Sequence, residues 1–423
     1  MRWMRAAGRG LLVAAVLLTG YAGFGARAES VDPQGRGPMT LVTAGDLTDY
    51  LSPLLDDWNS AHPDERVTLV ELPDSADETR AQMISELRSG SDRFDVLNID
   101  VAWTSEFAAA GWISPLHRDR FPLKSFLRPV VDTATFDGRL YAVPYVTNAG
   151  LLYYRKDILE REGEKPPRTW ADLSRQARTI APEHGLDGYA GQFLPYEGLT
   201  VNVTEAVHSA DGSILRDDGD RVTVDSAAAR KALAFLADGV REGWIPREAL
   251  QYKEEESRQA FTGGRLLFLR NWPYVYTDAG AENSKVAGRF GVVPMPGPEG
   301  PGTSVLGGSN LAVSSHSRHP ASAADLISYL TSERVQRQVL TEGSLPPVRA
   351  ALYEDPELIR VHPYLPTLRE SVLSAVPRPK SPRYDQVSLA VQAVAQDVMA
   401  LRQTPDQAVA RLARELAAIS RRG

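Results

Sequence analysis

The residues best suited to chemistry in this chain are acids, an amide, guanidinium groups and aromatic rings at the ends of apolar runs. Asp46 and Asp49 follow the run 39–43, Asp100 ends the run 94–99, and Asn148 lies in a polar break after 140–146. A carboxylate in such a place has two readings. It caps free N–H groups of the next helix and complements its dipole, or it accepts hydrogen bonds from a ligand at the carboxyl end of a strand, where open α/β sheets place their sites. Position favours the ligand for Asp46, nearest its strand end, and for Asp100. Asn148 offers both a donor and an acceptor.

Arg270-Asn271-Trp272-Pro273-Tyr274 hands a strand over to a helix, with Pro273 suited to its first position. Trp272 and Tyr274 read as a stacking floor, because aromatic faces pack against the C–H face of a sugar ring while acids and amides bond its hydroxyls. Tyr276 reads as core. Gly307-Gly308 allows close backbone approach, or serves a plain turn. Arg378, inside Val376-Pro377-Arg378-Pro379, is a fixed guanidinium able to clamp hydroxyls or an acid. Arg80, near the start of the second helix, is counted with these. Glu254 opens an acidic first turn and by itself reads as dipole chemistry.

Catalytic signatures are missing. There is no cysteine, no His-Glu-x-x-His, no Gly-x-Ser-x-Gly and no glycine-rich phosphate loop. The seven histidines are scattered; the close pair His316 and His319 lies in a polar run that reads as a solvated loop. Two carboxylates for glycoside hydrolysis can come from anywhere in a chain, so a secreted glycosidase is the alternative to a binder. No metal or cofactor is expected.

What positions these residues is an α/β chain of 423 residues, long enough for two lobes. A net charge of −7 argues against nucleic acid and anionic lipid surfaces. Arg2, Arg5 and Arg9 precede the apolar run 11–18, and Ala26-Arg27-Ala28 suits a signal peptidase, so cleavage is expected after Ala28. An uncleaved anchor at 10–26 is the alternative. Residues 29–38 read as a flexible tether. Strands at 39–43, 67–72 and 94–100 alternate with helices, which implies a mostly parallel sheet with helices on both faces.

The runs 140–146 and 151–155, parted by Thr147, Asn148 and Gly150, read as a crossing between lobes; Pro144 suits a sheet edge. The loop 294–303 is a second connection. Capping boxes open helices at Thr169 and Thr404, and Asp225 caps a helix to Glu242. A stripe of Val387, Val391, Val394, Val398 and Leu401 faces inward.

Together these strings resemble the extracellular sugar-binding subunits of bacterial ABC importers, in particular the trehalose/maltose-binding branch. The resemblance runs from Met39 to the C-terminus. It is carried by Asn98-Ile99-Asp100-Val101-Ala102-Trp103, Tyr141-Ala142-Val143-Pro144, 148–157, Tyr196-Glu197-Gly198-Leu199, Arg270-Asn271-Trp272-Pro273-Tyr274, Leu306-Gly307-Gly308 and Ala375-Val376-Pro377-Arg378-Pro379. It implies a periplasmic-binding-protein-like type II fold, two α/β lobes joined by a multi-segment hinge around a ligand cleft. The lobes would be 39–146 with 306–338, and 147–305 with 339–423.

It further implies that Asp100 and an acid of the first loop, Asp46 or Asp49, hold hydroxyls of one ring. Glu254 is promoted to a ligand contact, Trp272 to the platform with Tyr274 beside it, Gly308 to a backbone contact and Arg378 to a cation reaching across the cleft. The expected solute is an α-linked disaccharide, trehalose first and a maltose-like sugar next, passed to the permease subunits by a monomer. Two departures stand out. Relatives carry an aromatic residue where this chain has Ser309-Asn310, and Leu18-Thr19-Gly20 is followed by Tyr21 where lipoproteins have cysteine. Without a lipid, the periplasm is the expected compartment.

Overall fold

The computed structural model describes residues 35–45, 48–216 and 219–421. The expected signal peptide, most of the tether, Asp46 and the side chain of Asp49 lie outside the described residues. Nine strands form two sheets: β1 (Met39–Ala44), β2 (Val67–Leu72), β3 (Val96–Asp100), β4 (Ala142–Ala149), β5 (Leu151–Arg155), β6 (Asp187–Ala190), β7 (Leu266–Asn271), β8 (Phe290–Pro294) and β9 (Leu306–Val313). The first sheet has the order β2-β1-β3-β9-β4 and the second the order β8-β5-β7-β6.

The first three strands are parallel, joined by the helices Thr48–Ala61 and Ala76–Arg88. The rest of that sheet is not. β9 runs antiparallel between β3 and β4, because it enters from the second sheet rather than from a helical crossover on the first. In the second sheet only β6 and β7 are parallel. A mostly parallel sheet, as read from the strand–helix alternation, describes only the N-terminal part.

The chain leaves β4 at Ala149 and enters β5 of the other sheet at Leu151, so Gly150 alone is the crossing residue. Thr147 and Asn148, read as part of the break, continue β4 and pair with Gly308 and Gly307. Pro144 lies on an edge strand, beside a register shift between Ser309 and Asn310, where a missing N–H costs no ladder bond. The return passage follows Pro294. It ends where Val376 N donates to Ser304 O at 3.0 Å and Leu306 N to Val376 O at 2.8 Å, so the loop carrying Arg378 runs alongside it.

Helix ends follow local chemistry, with two corrections. The boxes at Thr169 with Asp172 and Thr404 with Gln407 form as read. The helix Ala227–Arg241, however, is capped by Ser226, whose Oγ accepts from Ala229 N at 3.1 Å; Asp225 pairs with Arg230 instead. The penultimate helix ends at Met399, and Leu401 adopts a φ of 60° and is exposed. The chain turns there to reach the Thr404 cap, which takes Leu401 off the buried Val387, Val391, Val394 and Val398 stripe. Among the described residues no helix is long and apolar enough to cross a membrane, and no group of three potential ligands among His, Asp and Glu is placed to hold a metal.

Candidate functional site

Asp100 ends β3, and its side chain is about a fifth exposed. Its Oδ1 accepts from Ala102 N at 2.8 Å, which tightens the turn, and also meets Nη2 of Arg378. The following helix, Thr104–Ala109, has Trp103 as its N-cap with no side-chain cap bond, so Asp100 is not that cap. Arg378 is 4% exposed, and its Nη1 donates to Glu197 Oε1 at 2.7 Å. Glu197 also accepts from Tyr384 Oη and, at 2.7 Å, from Ser388 Oγ.

One guanidinium thus joins the end of β3 in the first sheet to the first turn of the helix Glu197–Ser209, which packs against helices Ala227–Arg241 and Tyr384–Met399. Burial alone would lower the pKa of Arg378. Asp100, Tyr384 and Glu197 outweigh it and hold the pKa above the usual arginine range. Burial pushes Glu197 the other way, up, against the pull of Arg378. Three donors converging on its two oxygens favour the carboxylate, so the contact is an ion pair.

Tyr196 precedes Glu197 and donates from Oη to Glu254 Oε2 at 2.5 Å. Burial, then the neighbouring Glu254 charge, raises Tyr196 well above the phenol range, so it stays a neutral donor. The other oxygen of Glu254 faces Trp272 Nε1 at 3.4 Å. The turn bearing Trp272 is built from β7: Asn271 Oδ1 accepts from Trp272 N at 2.7 Å, and Tyr153 Oη donates to Trp272 O at 2.8 Å. One indole edge covers Gly307, where an added Cβ would come within 2.9 Å of Cη2. Gly307 is in register with Asn148, and Ser309 with Asp100, so β9 carries the circuit back to β3.

Asp100, Asn148, Glu254, Trp272, Gly308 and Arg378 therefore share one neighbourhood between the sheets. The two glycines are not a turn; they sit inside β9. Gly308 has a φ of 98° and lies against the Val146 carbonyl, a position only glycine fills without strain. Its carbonyl accepts from Val101 N at 3.3 Å. Tyr274 is partly buried near Glu254 and donates to Glu255 at 2.9 Å, and Tyr276 packs between Phe290 and Tyr364 as core.

Arg80 is held by Glu106, with Nε to Oε2 at 2.9 Å, and reaches Asp385 at 3.6 Å. It lines a cavity of about 810 Å³ with Arg88, Trp112, Arg383 and Asp385. Sequence reasoning missed Glu197, Tyr196 and Ser309. The first-turn acid Glu197 looked like any other, and its partners lie 181 to 191 residues away. Ser309 is directly opposite Asp100 on the same sheet face, and its buried hydroxyl has no partner among the described residues.

The arrangement is one of acceptors, neutral donors and one aromatic floor, fixed by ion pairs; it suits holding a polyhydroxylated molecule. Comparison with known proteins agrees with a binding role. The model of the family described as "Bacterial extracellular solute-binding protein" matches residues 44–337. This chain belongs to that family. A probable ABC transporter-binding protein of Deinococcus radiodurans is 34% identical over 367 residues, covering 84% of this chain and 87% of the relative. Among solved structures, maltose-bound T. maritima MalE3 superposes with a TM-score of 0.84 at 33% identity, covering 90% of this chain and 99% of that one. A solute-binding protein from Thermotoga lettingae bound with alpha-D-tagatose gives 0.80 at 25% identity, covering 91% and 100%. The fold of this solute-binding protein is accordingly that of two α/β lobes, and the sheets described above are their cores.

Proposed function

We propose that this protein is the sugar receptor of an ABC importer, and that its solute is an α-linked disaccharide, trehalose first and a maltose-like sugar next. The observation that carries the reading is the circuit Asp100–Arg378–Glu197 and Tyr196–Glu254–Trp272, which draws groups from both sheets onto one gap. Relatives whose structures hold maltose or tagatose support a sugar as the solute, and maltose supports an α-linked disaccharide. Asp100, Glu254 and Asn148 take hydroxyl protons or, for the amide, give one; Trp272 stacks on a ring face; Ser309 offers a free hydroxyl where a second ring would otherwise stack.

The chemistry is reversible. Each neutral hydrogen bond nets about 0.5–1.5 kcal/mol against water, more with a charged partner. Affinity then requires several such bonds plus the indole. Solute held on one lobe and buried by the other gives a closed form that docks on the permease in the periplasm. A thermal-shift screen across trehalose, maltose and related sugars tests this, since a bound solute raises the melting temperature by mass action. A rise with a disaccharide and no released reducing sugar supports the receptor; sugar turnover would make the protein a glycosidase.

A further inference from the structure

Both passages between the sheets converge on one buried carboxylate. A Cβ added at Gly150 would stand 2.7 and 2.9 Å from Nη2 and Nε of Arg270, and would also run into Oε1 of Glu205. On the return passage, Ser304 Oγ and Val305 N donate to that same Oε1 at 3.0 and 3.2 Å. Arg270 grips the carboxylate with Nε at 2.8 Å and Nη2 at 2.7 Å, and gives Nη1 to Gln192 at 2.8 Å. Glu205 is 3% exposed and Arg270 fully buried. The guanidinium carbon lies 4.1 Å from the centre of the Trp272 ring.

A buried ion pair adds little net stability over apolar groups of the same volume, because desolvation offsets attraction. What it does supply is geometry. A two-point fork fixes the plane of the guanidinium, and a guanidinium stacked on an indole fixes the plane of the ring. The carboxylate oxygen shared with Ser304 and Val305 ties that plane to the strand entering the first sheet.

We propose that Glu205 and Arg270 are positioning residues, which hold the Trp272 indole in its binding orientation and lock it to both inter-lobe passages, so that platform and hinge move together. This rests on the reading of Trp272 as the sugar platform.

The test uses the chain labelled with 5-fluorotryptophan, the Trp272 fluorine signal being assigned by its loss in Trp272→Phe. A second readout is the distance between spin labels on cysteines placed at Asp57 and Leu389, each 59% exposed, in a chain that has no cysteine of its own. Arg270→Lys keeps the charge without the planar surface, and Glu205→Gln keeps an acceptor for Ser304 without the fork. The expected result is a shifted, broadened Trp272 signal in Arg270→Lys. In Glu205→Gln the expected result is a wider distance distribution without sugar, and both variants should bind trehalose at least tenfold more weakly.

A Trp272 signal and distances equal to wild type in both variants would overturn the proposal. If either variant does not fold, Gly150→Ala takes its place, since it retains both charges and presses on their contact. A shifted Trp272 signal or widened distances in that variant support the proposal, and wild-type values of both overturn it. Unchanged trehalose affinity in Trp272→Ala would instead refute the platform reading alone.

Discussion

Arg378 and Asp100 meet across the gap between the two sheets, the guanidinium arriving on a loop that runs beside the return passage. The same guanidinium is bonded on its other side to Glu197. A cation between two acids keeps both from repelling each other; the guanidinium and Glu197 are buried, and Asp100 is partly open.

Arg378→Met should therefore cost more than its own contacts, because it leaves two carboxylates facing without a counter-charge. The expected loss is roughly 3–5 kcal/mol of folding stability, read by urea melts. Adding Glu197→Gln should restore part of it, since residues in one network do not add independently. A simple sum of the single losses would show that the three groups are not coupled.

The two glycines of β9 should separate stability from binding. Gly308→Ala forces a side chain into a φ of 98° against the Val146 carbonyl, at a cost of roughly 1–3 kcal/mol in backbone strain. Gly307→Ala has no such φ, but its new methyl presses on the Trp272 ring. It should weaken sugar binding several-fold with a smaller fall in melting temperature. Equal effects of the two on both measurements would contradict this assignment.

Acid should loosen the helix that carries Glu197 and Glu205. Burial, with Arg216 adding to it, pulls His208 down to about 4. The unfolded chain takes up this proton first as pH falls, so the stability present above about pH 6.5 declines as pH drops toward 4. The loss is on the order of 3 kcal/mol when complete. Urea melts at pH 7 and pH 4.5 should show that decline reduced in His208→Gln. An identical decline in both proteins would assign it to other groups.

How much of this was legible in the sequence depended on whether the signal was local. Pro144 marked a strand at a sheet edge because its missing N–H restricts it wherever it sits, and Thr169 and Thr404 marked helix starts because their partners are three residues on. Gly307 and Gly308 were ambiguous, since what makes them part of a strand is their pairing with Asn148 and Thr147, far away in the chain. Glu197, Glu205 and Arg270 were invisible as a group. Each is an ordinary residue of its helix or strand until the fold closes Ser388, Ser304 and Trp272 around them.

As proposed above, the indole of Trp272 floors a cleft that binds a disaccharide and returns it unchanged. Calorimetric titration of trehalose and of maltose into wild type and Trp272→Ala, with chromatography of the recovered sugar, tests it most directly. Saturable one-to-one binding of at least one of them to wild type is expected, at least tenfold weaker in the variant, with the sugar recovered intact. Equal affinity in the two proteins, no heat with either sugar, or cleaved sugar would contradict it.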